Sequence, residues 1–458
     1  IHERLVGSEM CIRDRISILP PLAKIFEKLI SIQIYDFMSN NGMLHESQFG
    51  FRRHLSCELA LNTVINSWKL SVDQKKNVLA ILLDLSKAFD TVDHSILIAK
   101  LKRYSFSTSS LALIKNYLSN RYSITKFKDC FSDKKLNEEG VPQGSILGPL
   151  FFIIFFNDFC FLLVKGEMML YADDTTVSFA SAEISTLFQV VTEDLKLISE
   201  WLKHNRLLLN LSKTNAIFFS NGAHSTKQTV LPQLIFDDII IPIVSSTKLL
   251  GVIIDNKLKF DLNSKDVTRR VAYKVRVLLK SAFLFDIEFK TILFKLFILS
   301  TFDYCSSLFV HFSSQVDQLR LERSYSNAVY SLLRVNLYDR NFSTQNSTMM
   351  SLERQLKTLI NFDILPLKFR YFKRLIRFLF MNITKNPTSS LVKSLMSFKK
   401  TYGSLRRDPF KTPLFKTNLG SFSFLNIAIK ILNSFLYDDL DLSFYVFNNF
   451  FKNNQNFP

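Results

Sequence analysis

Asp173 and Asp174 stand side by side in the stretch Tyr171-Ala172-Asp173-Asp174. Met168-Met169-Leu170 precede them and Thr175-Thr176-Val177-Ser178-Phe179 follow. These apolar and β-branched flanks predict a tight hairpin with the acids at its tip. Asp is also a common turn residue, so the pair alone fits a plain turn as well as a metal site. A second acid ends a second apolar run, Val78-Leu79-Ala80-Ile81-Leu82-Leu83-Asp84, which reads as a buried central strand. A carboxylate there is costly unless it is paired or binds a metal. Acids brought together from two strands repel, and each resists ionising unless a cation neutralises the site. Ligands that are all oxygen favour Mg²⁺, with Mn²⁺ as the alternative. Two such ions about 3.5–4 Å apart are a standard device for in-line nucleotidyl displacement. The carboxylates therefore point to nucleotide chemistry.

Between these acids lies Gly140-Val141-Pro142-Gln143-Gly144-Ser145-Ile146-Leu147-Gly148-Pro149, which holds three of the chain's 11 glycines. Glycine permits positive φ and close backbone approach, so this loop is expected to press against something. An ordinary loop before the apolar run Leu150 to Phe156 is the other reading.

The elements that must carry these residues are visible in the periodicity. Leu22 to Met38, Cys57 to Leu70, Ser109 to Leu118 and Ile184 to His204 have helical spacing, the last expected to pack behind the hairpin. Ile146 to Phe156 is apolar throughout and reads as a buried helix. Ala216 to Phe219 and Lys248 to Asp255 read as strands around a polar loop, Asn221 to Gln228. Spacing near 3.6 dominates from Lys265 to about Leu337, and Asp339 to Ser351 is polar and reads as a linker.

The chain has 458 residues and a net charge of +18, with 58 Lys and Arg against 40 Asp and Glu. That excess suits a phosphate backbone, though a generally Lys-rich composition would give it too. Basic and aromatic residues alternate in Lys368-Phe369-Arg370-Tyr371-Phe372-Lys373-Arg374-Leu375-Ile376-Arg377. That segment reads as a helix with a basic face, lying either along a duplex or in solvent. The five cysteines are scattered with no Cys-x-x-Cys, which argues for a reducing compartment and against a zinc module. The longest apolar run has 11 residues, short of the roughly 20 that cross a bilayer. No signal peptide is visible, so no membrane partner and a nuclear or cytoplasmic location are expected.

Taken in order, these segments resemble the reverse transcriptase of LINE-type retrotransposons, which lack long terminal repeats. Asp84-Leu85-Ser86-Lys87-Ala88-Phe89-Asp90-Thr91-Val92-Asp93-His94 looks like the first catalytic motif of that family, and Gly140 to Pro149 like its template-and-nucleotide loop. Tyr171 to Asp174 resembles its metal-binding hairpin, and Gln48-Phe49-Gly50-Phe51-Arg52 its fingers motif. Trp201 to Lys213 and Leu249-Leu250-Gly251-Val252 resemble the segments that close the palm and grip the primer. The resemblance implies an α+β right-hand polymerase with a helical C-terminal extension. It implies RNA-directed DNA synthesis with an RNA template, a DNA primer and deoxynucleoside triphosphates as partners. Asp84, Asp173 and Asp174 would be the metal ligands and Lys213 the general acid toward pyrophosphate. Phe89 would exclude a 2′-hydroxyl, Arg52, Gln143 and Gly144 would contact substrate or template, and Leu250 and Gly251 would hold the primer end. Phe89 is one of 45 Phe, and Lys213 fits a solvated lysine equally well.

The resemblance divides the chain into fingers and palm over 16–255, a helical thumb over 256–338, a linker over 339–351 and a helical region over 352–458. Residues 1–15 fit nothing in the family and resemble a translated sequencing adapter. They put Asp14 where relatives carry an Arg thought to hold the triphosphate, which an acid cannot replace. His54 stands where relatives usually have Gly, and His tolerates the left-handed region better than most residues. Nothing resembles the endonuclease of full-length relatives. Two rival readings stay open, an intron-encoded maturase and a decayed or truncated element that retains only nucleic-acid binding. No maturation segment is seen, and all three acids persist.

Overall fold

The computed structural model describes residues 19–124, 126–127, 130–163, 165–220, 231–310, 313–339, 348–349, 352–387 and 389–397. Asp14 with the rest of residues 1–15, the polar loop 221–228, most of 339–351 and everything beyond 397 lie outside them. The chain divides into two compact units, residues 1–60 with 77–244 and residues 61–76 with 245–458.

The first unit is built on the apolar run before Asp84. That run folds as β1 (Asn77–Leu83), buried at every position but Leu82, which is half-buried. A strand buried on both faces belongs in the middle of a sheet. Two small ladders follow, β2 (Arg121–Ser123) with β5 (Lys135–Asn137) and β3 (Lys126–Phe127) with β4 (Cys130–Phe131). The remaining strands are β6 (Glu167–Tyr171), β7 (Asp174–Ser181), β8 (Asn215–Phe219), the hairpin β9 (Leu234–Phe236) and β10 (Ile239–Ile241), and β11 (Ile243–Val244). The main sheet runs β11-β8-β1-β7-β6, antiparallel except for β11 against β8.

The helices of this unit are α1 (Pro21–Asn40), the start of α2 (Cys57–Asp73), α3 (His94–Arg103), α4 (Thr108–Leu118), α5 (Leu147–Phe155) and α6 (Ile184–His204). On α6, Leu187, Val191, Leu195, Ile198 and Leu202 form a buried stripe, and the helix packs on β7 as its spacing predicts. In α5 every residue but Pro149 is buried, as expected of a helix apolar on all sides. Of its N-terminal amides, Gly148 N is met locally by Ser145 Oγ at 2.8 Å. Buried Glu27 of α1 supplies a second acceptor from afar, taking Ile146 N at 2.7 Å and the Tyr117 hydroxyl at 2.8 Å.

In the second unit the expected strand Lys248–Asp255 is instead a hairpin, β12 (Ser246–Leu249) with β13 (Val252–Asp255). Leu250 and Gly251 at its tip take φ of +44° and +82°, which no continuous strand can hold. The rest is mostly helical: α7 (Asp261–Leu279), α8 (Ile287–Leu293), a π-helical turn (Phe294–Leu299), α9 (Ser300–Asp303), α10 (Ser306–Phe309), α11 (Gln315–Leu333), α12 (Leu352–Leu359), α13 (Leu367–Lys385) and α14 (Ser390–Met396), with one short antiparallel ladder of β14 (Tyr338–Asp339) and β15 (Thr348–Met349) at the ends of the expected linker. α13 carries the basic-aromatic segment, and here its expected face needs correction. Arg370 binds Asp303 through both Nε and Nη2, and Arg374 lies 3.7 Å from the same carboxylate. Lys368, Lys373 and Arg377 are the exposed members of the segment, and of these Lys368 pairs with Glu322 at 3.0 Å.

Candidate active site

Tyr171 pairs with Asp174, so β6 and β7 are joined by two residues, Ala172 and Asp173. Ala172 takes the left-handed position with φ +59°. Only Asp173 therefore sits in the turn, and Asp174 opens β7. Leu83 faces Thr175 at the end of the β1–β7 ladder, and one step further in the same register sets Asp84 beside Asp174.

The electrostatics follow from that placement. Burial raises the Asp173 carboxyl above the usual range, the Asp84 charge adds to the rise, and Lys213 opposes it. Asp174 is pushed up to about 6 by burial first, then by Asp173 and Asp84, again against Lys213. The Asp174 residue reaches solvent along one side while protein crowds its carboxyl on the others.

Lys213 arrives here through backbone lacing. Ser86 N donates to Leu208 O at 2.8 Å, Asn210 N to Asp84 O at 2.7 Å and Asp84 N to Thr214 Oγ1 at 3.3 Å. The turn so anchored leaves Lys213 Nζ 3.7 Å from Asp84 Oδ2 with 63% of the side chain exposed. At that exposure the pair adds little stability. Its effect is on the charge of the acid cluster.

The glycine loop does press against something, namely the turn after Asp84. Gly140 N donates to Val92 O and Val141 N to Phe89 O, both at 2.8 Å, and the His94 ring donates to Gly140 O at 2.8 Å. A Cβ on Gly140 would lie 2.6 Å from Asp90 O, so close approach requires glycine there. Gln143 Nε2 reaches Asp90 Oδ1 at 3.3 Å, and Gly144 beside it is exposed with φ +98°. Phe89 is half-buried, stacked on Phe152 at 4.6 Å with the exposed Phe51 ring edge-on at 6.3 Å.

Arg52 ties its own loop, donating through Nη1 to His45 O at 2.7 Å and Gln48 O at 3.4 Å. His54 takes φ +64°, the left-handed turn expected where relatives have Gly. Leu250 and Gly251 belong to the second unit. There the Tyr304 hydroxyl donates to Leu250 O at 2.7 Å, and a Cβ on Gly251 would meet the Tyr304 ring at 3.2 Å. Sequence reasoning missed what Asn210, Thr214 and Gln48 do, because bonds such as those of Thr214 and Gln48, made across 130 and 124 positions, have no local signal.

Asp84, Asp173 and Asp174 offer only carboxylate oxygens, the donor type that Mg²⁺ and Mn²⁺ take. As they stand, no group of three His, Cys, Asp or Glu among the described residues is arranged to hold a metal ion. Burial first, and then mutual repulsion, holds Asp173 and Asp174 above the usual range; a bound cation would relieve the repulsion, and in that respect the residues fit one.

The family model for reverse transcriptase (RNA-dependent DNA polymerase) matches residues 10–254, more than half of the sequence, and the chain belongs to that family, with its mixed helix-and-sheet fold. Its relatives point to mobile elements. A probable RNA-directed DNA polymerase from transposon X-element of Drosophila melanogaster is 31% identical over 57% of this chain and 28% of the relative. The RNA-directed DNA polymerase from mobile element jockey of Drosophila funebris is 30% identical over 53% of this chain and 27% of the relative. The chain thus spans little more than a quarter of their length. Among solved structures, apo telomerase from Candida tropicalis is 11% identical over 81% of this chain and 61% of that one, with a TM-score of 0.41. No described helix is long and apolar enough to cross a membrane.

Proposed function

We propose that this chain is the polymerase portion of a LINE-type retrotransposon protein, copying RNA into DNA by adding deoxynucleotides to a primer 3′-hydroxyl. The observation that supports it most is the convergence of Asp84, Asp173 and Asp174 at one end of the sheet, with their charges opposing one another. These acids would hold two divalent ions, Mg²⁺ by their donor type, which when bound supply charge neutralisation for nucleotidyl transfer. Phe89, held from behind by Phe152, presents its ring to the sugar and blocks a 2′-hydroxyl. Gln143 and Gly144 face the incoming nucleotide and template, with Arg52 supporting the loop beside them. Lys213 carries on Nζ the proton that the leaving pyrophosphate takes. Leu250 and Gly251 hold the primer end.

The test is extension of a DNA primer on an RNA template with Mg²⁺, comparing the parent with Asp173→Asn. Incorporation should fall by several orders of magnitude, since metal positioning supplies most of the rate. Equal synthesis by both would sink the reading. A parent that binds primer-template without extending it would favour the decayed element.

A further inference from the structure

The turn that carries Asp173 has three reasons to relax. It is only two residues long, it puts Ala172 where glycine is preferred, and it holds acids that repel. What restrains it comes from far away in the chain. Gln48 is 1% exposed, and its Oε1 accepts from Gly50 N at 2.8 Å and from Ala172 N at 3.1 Å. On the same segment, Phe49 N donates to Leu170 O at 2.8 Å and Leu170 N to Ser47 O at 2.9 Å, so Gln48 makes a single parallel bridge to Leu170 near the end of β6. Gly50 makes the close approach possible. A Cβ there would lie 2.2 Å from Ala172 N, which only glycine avoids. The Gln48 Nε2 is buried with no hydrogen-bond partner, so the amide serves as an acceptor alone. A neutral acceptor suits this place, because a carboxylate would add a fourth negative charge to the cluster.

We infer that Gln48, backed by Gly50, is the positioning residue that fixes where Asp173 and Asp174 stand and so sets the divalent-metal affinity of the acid cluster. The inference rests on the polymerase reading above, which makes the acid cluster a divalent-metal site. In the full chain bound to primer-template, Mn²⁺ affinity is read by electron paramagnetic resonance, alongside kcat, nucleotide KM and melting temperature. Gln48→Met keeps the chain length and removes the acceptor. It should weaken Mn²⁺ binding and lower kcat by about 10–100-fold, the usual effect of removing a group that orients a metal ligand. Nucleotide KM and primer-template affinity should stay close to the parent's. Unchanged Mn²⁺ affinity in a folded Gln48→Met would overturn the inference. If that variant does not fold, Gly50→Ala carries the same measurement, with weaker Mn²⁺ binding expected and parental binding overturning it. If neither folds, the Gln48–Ala172 pairing is a general requirement of the fold and the inference fails. A parent that binds Mn²⁺ but does not polymerise would count against the polymerase reading and leave the Mn²⁺ comparison intact.

Discussion

Asp84 and Asp255 each end a run of apolar strand residues, Leu82-Leu83-Asp84 in the first unit and Ile253-Ile254-Asp255 in the second. Their surroundings have little in common. Asp255 is buried and accepts from the backbone amides of Lys257 at 3.0 Å, Lys259 at 3.1 Å and Phe260 at 2.8 Å. It also attracts Lys69, which burial pulls down to about 7 against that attraction. Asp84 is 34% exposed, with Lys213 at 3.7 Å and two further acids sharing its end of the sheet. An acid whose charge is met within its own chain holds the fold together. An acid opposed by its neighbours is left with charge for a ligand. That distinction separates a structural carboxylate from a candidate catalytic one more sharply than motif position does.

The contrast can be broken most directly by the paired substitutions Asp84→Asn and Asp255→Asn. Asp84→Asn should reduce primer extension by three orders of magnitude or more, roughly the scale on which metal positioning acts, while the fold persists. Asp255→Asn should do the reverse, costing about 3 kcal/mol of stability in a denaturant titration and leaving kcat per folded molecule unchanged. An inactive but fully stable Asp255→Asn would erase the distinction.

The same split applies to the stacked pair Phe89 and Phe152. Phe89→Val should lower the ratio of kcat/KM for deoxy- over ribonucleotides by about tenfold or more. An unaltered ratio in the folded variant would return Phe89 to the core, beside its fully buried neighbour.

Smaller effects follow from pH. Asp174 has a folded value of about 6, above its ordinary 3.8. Its contribution is therefore present below pH 3.8 and lost as pH rises through 6. Metal-free Asp174→Asn should then melt a few degrees above the parent at pH 7, with the difference vanishing near pH 4. Lys69 slopes the other way. Its folded value of about 7 lies below the ordinary 10.5, so the folded protein holds fewer protons across that window and gains stability as pH rises from 7 to 10. Lys69→Met should flatten that rise. Melting curves with the same slope in parent and variant would show that the lysine is not held neutral.

The smallest effect expected is on salt dependence. Converting Lys373 and Arg377 to Gln should reduce the slope of log affinity against log salt by about 0.7–0.9 for each phosphate no longer neutralised. Arg370→Gln should leave the slope alone and lower stability, because its guanidinium is occupied by Asp303. A slope changed by Arg370→Gln and untouched by the other pair would reverse the assignment of faces on α13.

Much of the local structure was legible beforehand. The helix at 184–204, the apolar helix behind the glycine loop, the strand before Asp84 and the acid hairpin follow from repeats of 3.6 or 2, which depend only on near neighbours in the chain. The order of acid, glycine loop and paired acids also marked the candidate site from the sequence alone. Tertiary structure decided the rest. The β1–β7 register sets Asp84 beside Asp174, and the lacing of residues 208–214 brings Lys213 to Asp84. Gln48 reaches Ala172 across 124 positions, and Asp303 takes Arg370 across 67. The sequence determined which residues carry charge and which elements hold them. Only the fold decided which of those charges meet a partner, because ionisation depends on what surrounds a group in space, and that is set by long-range pairing.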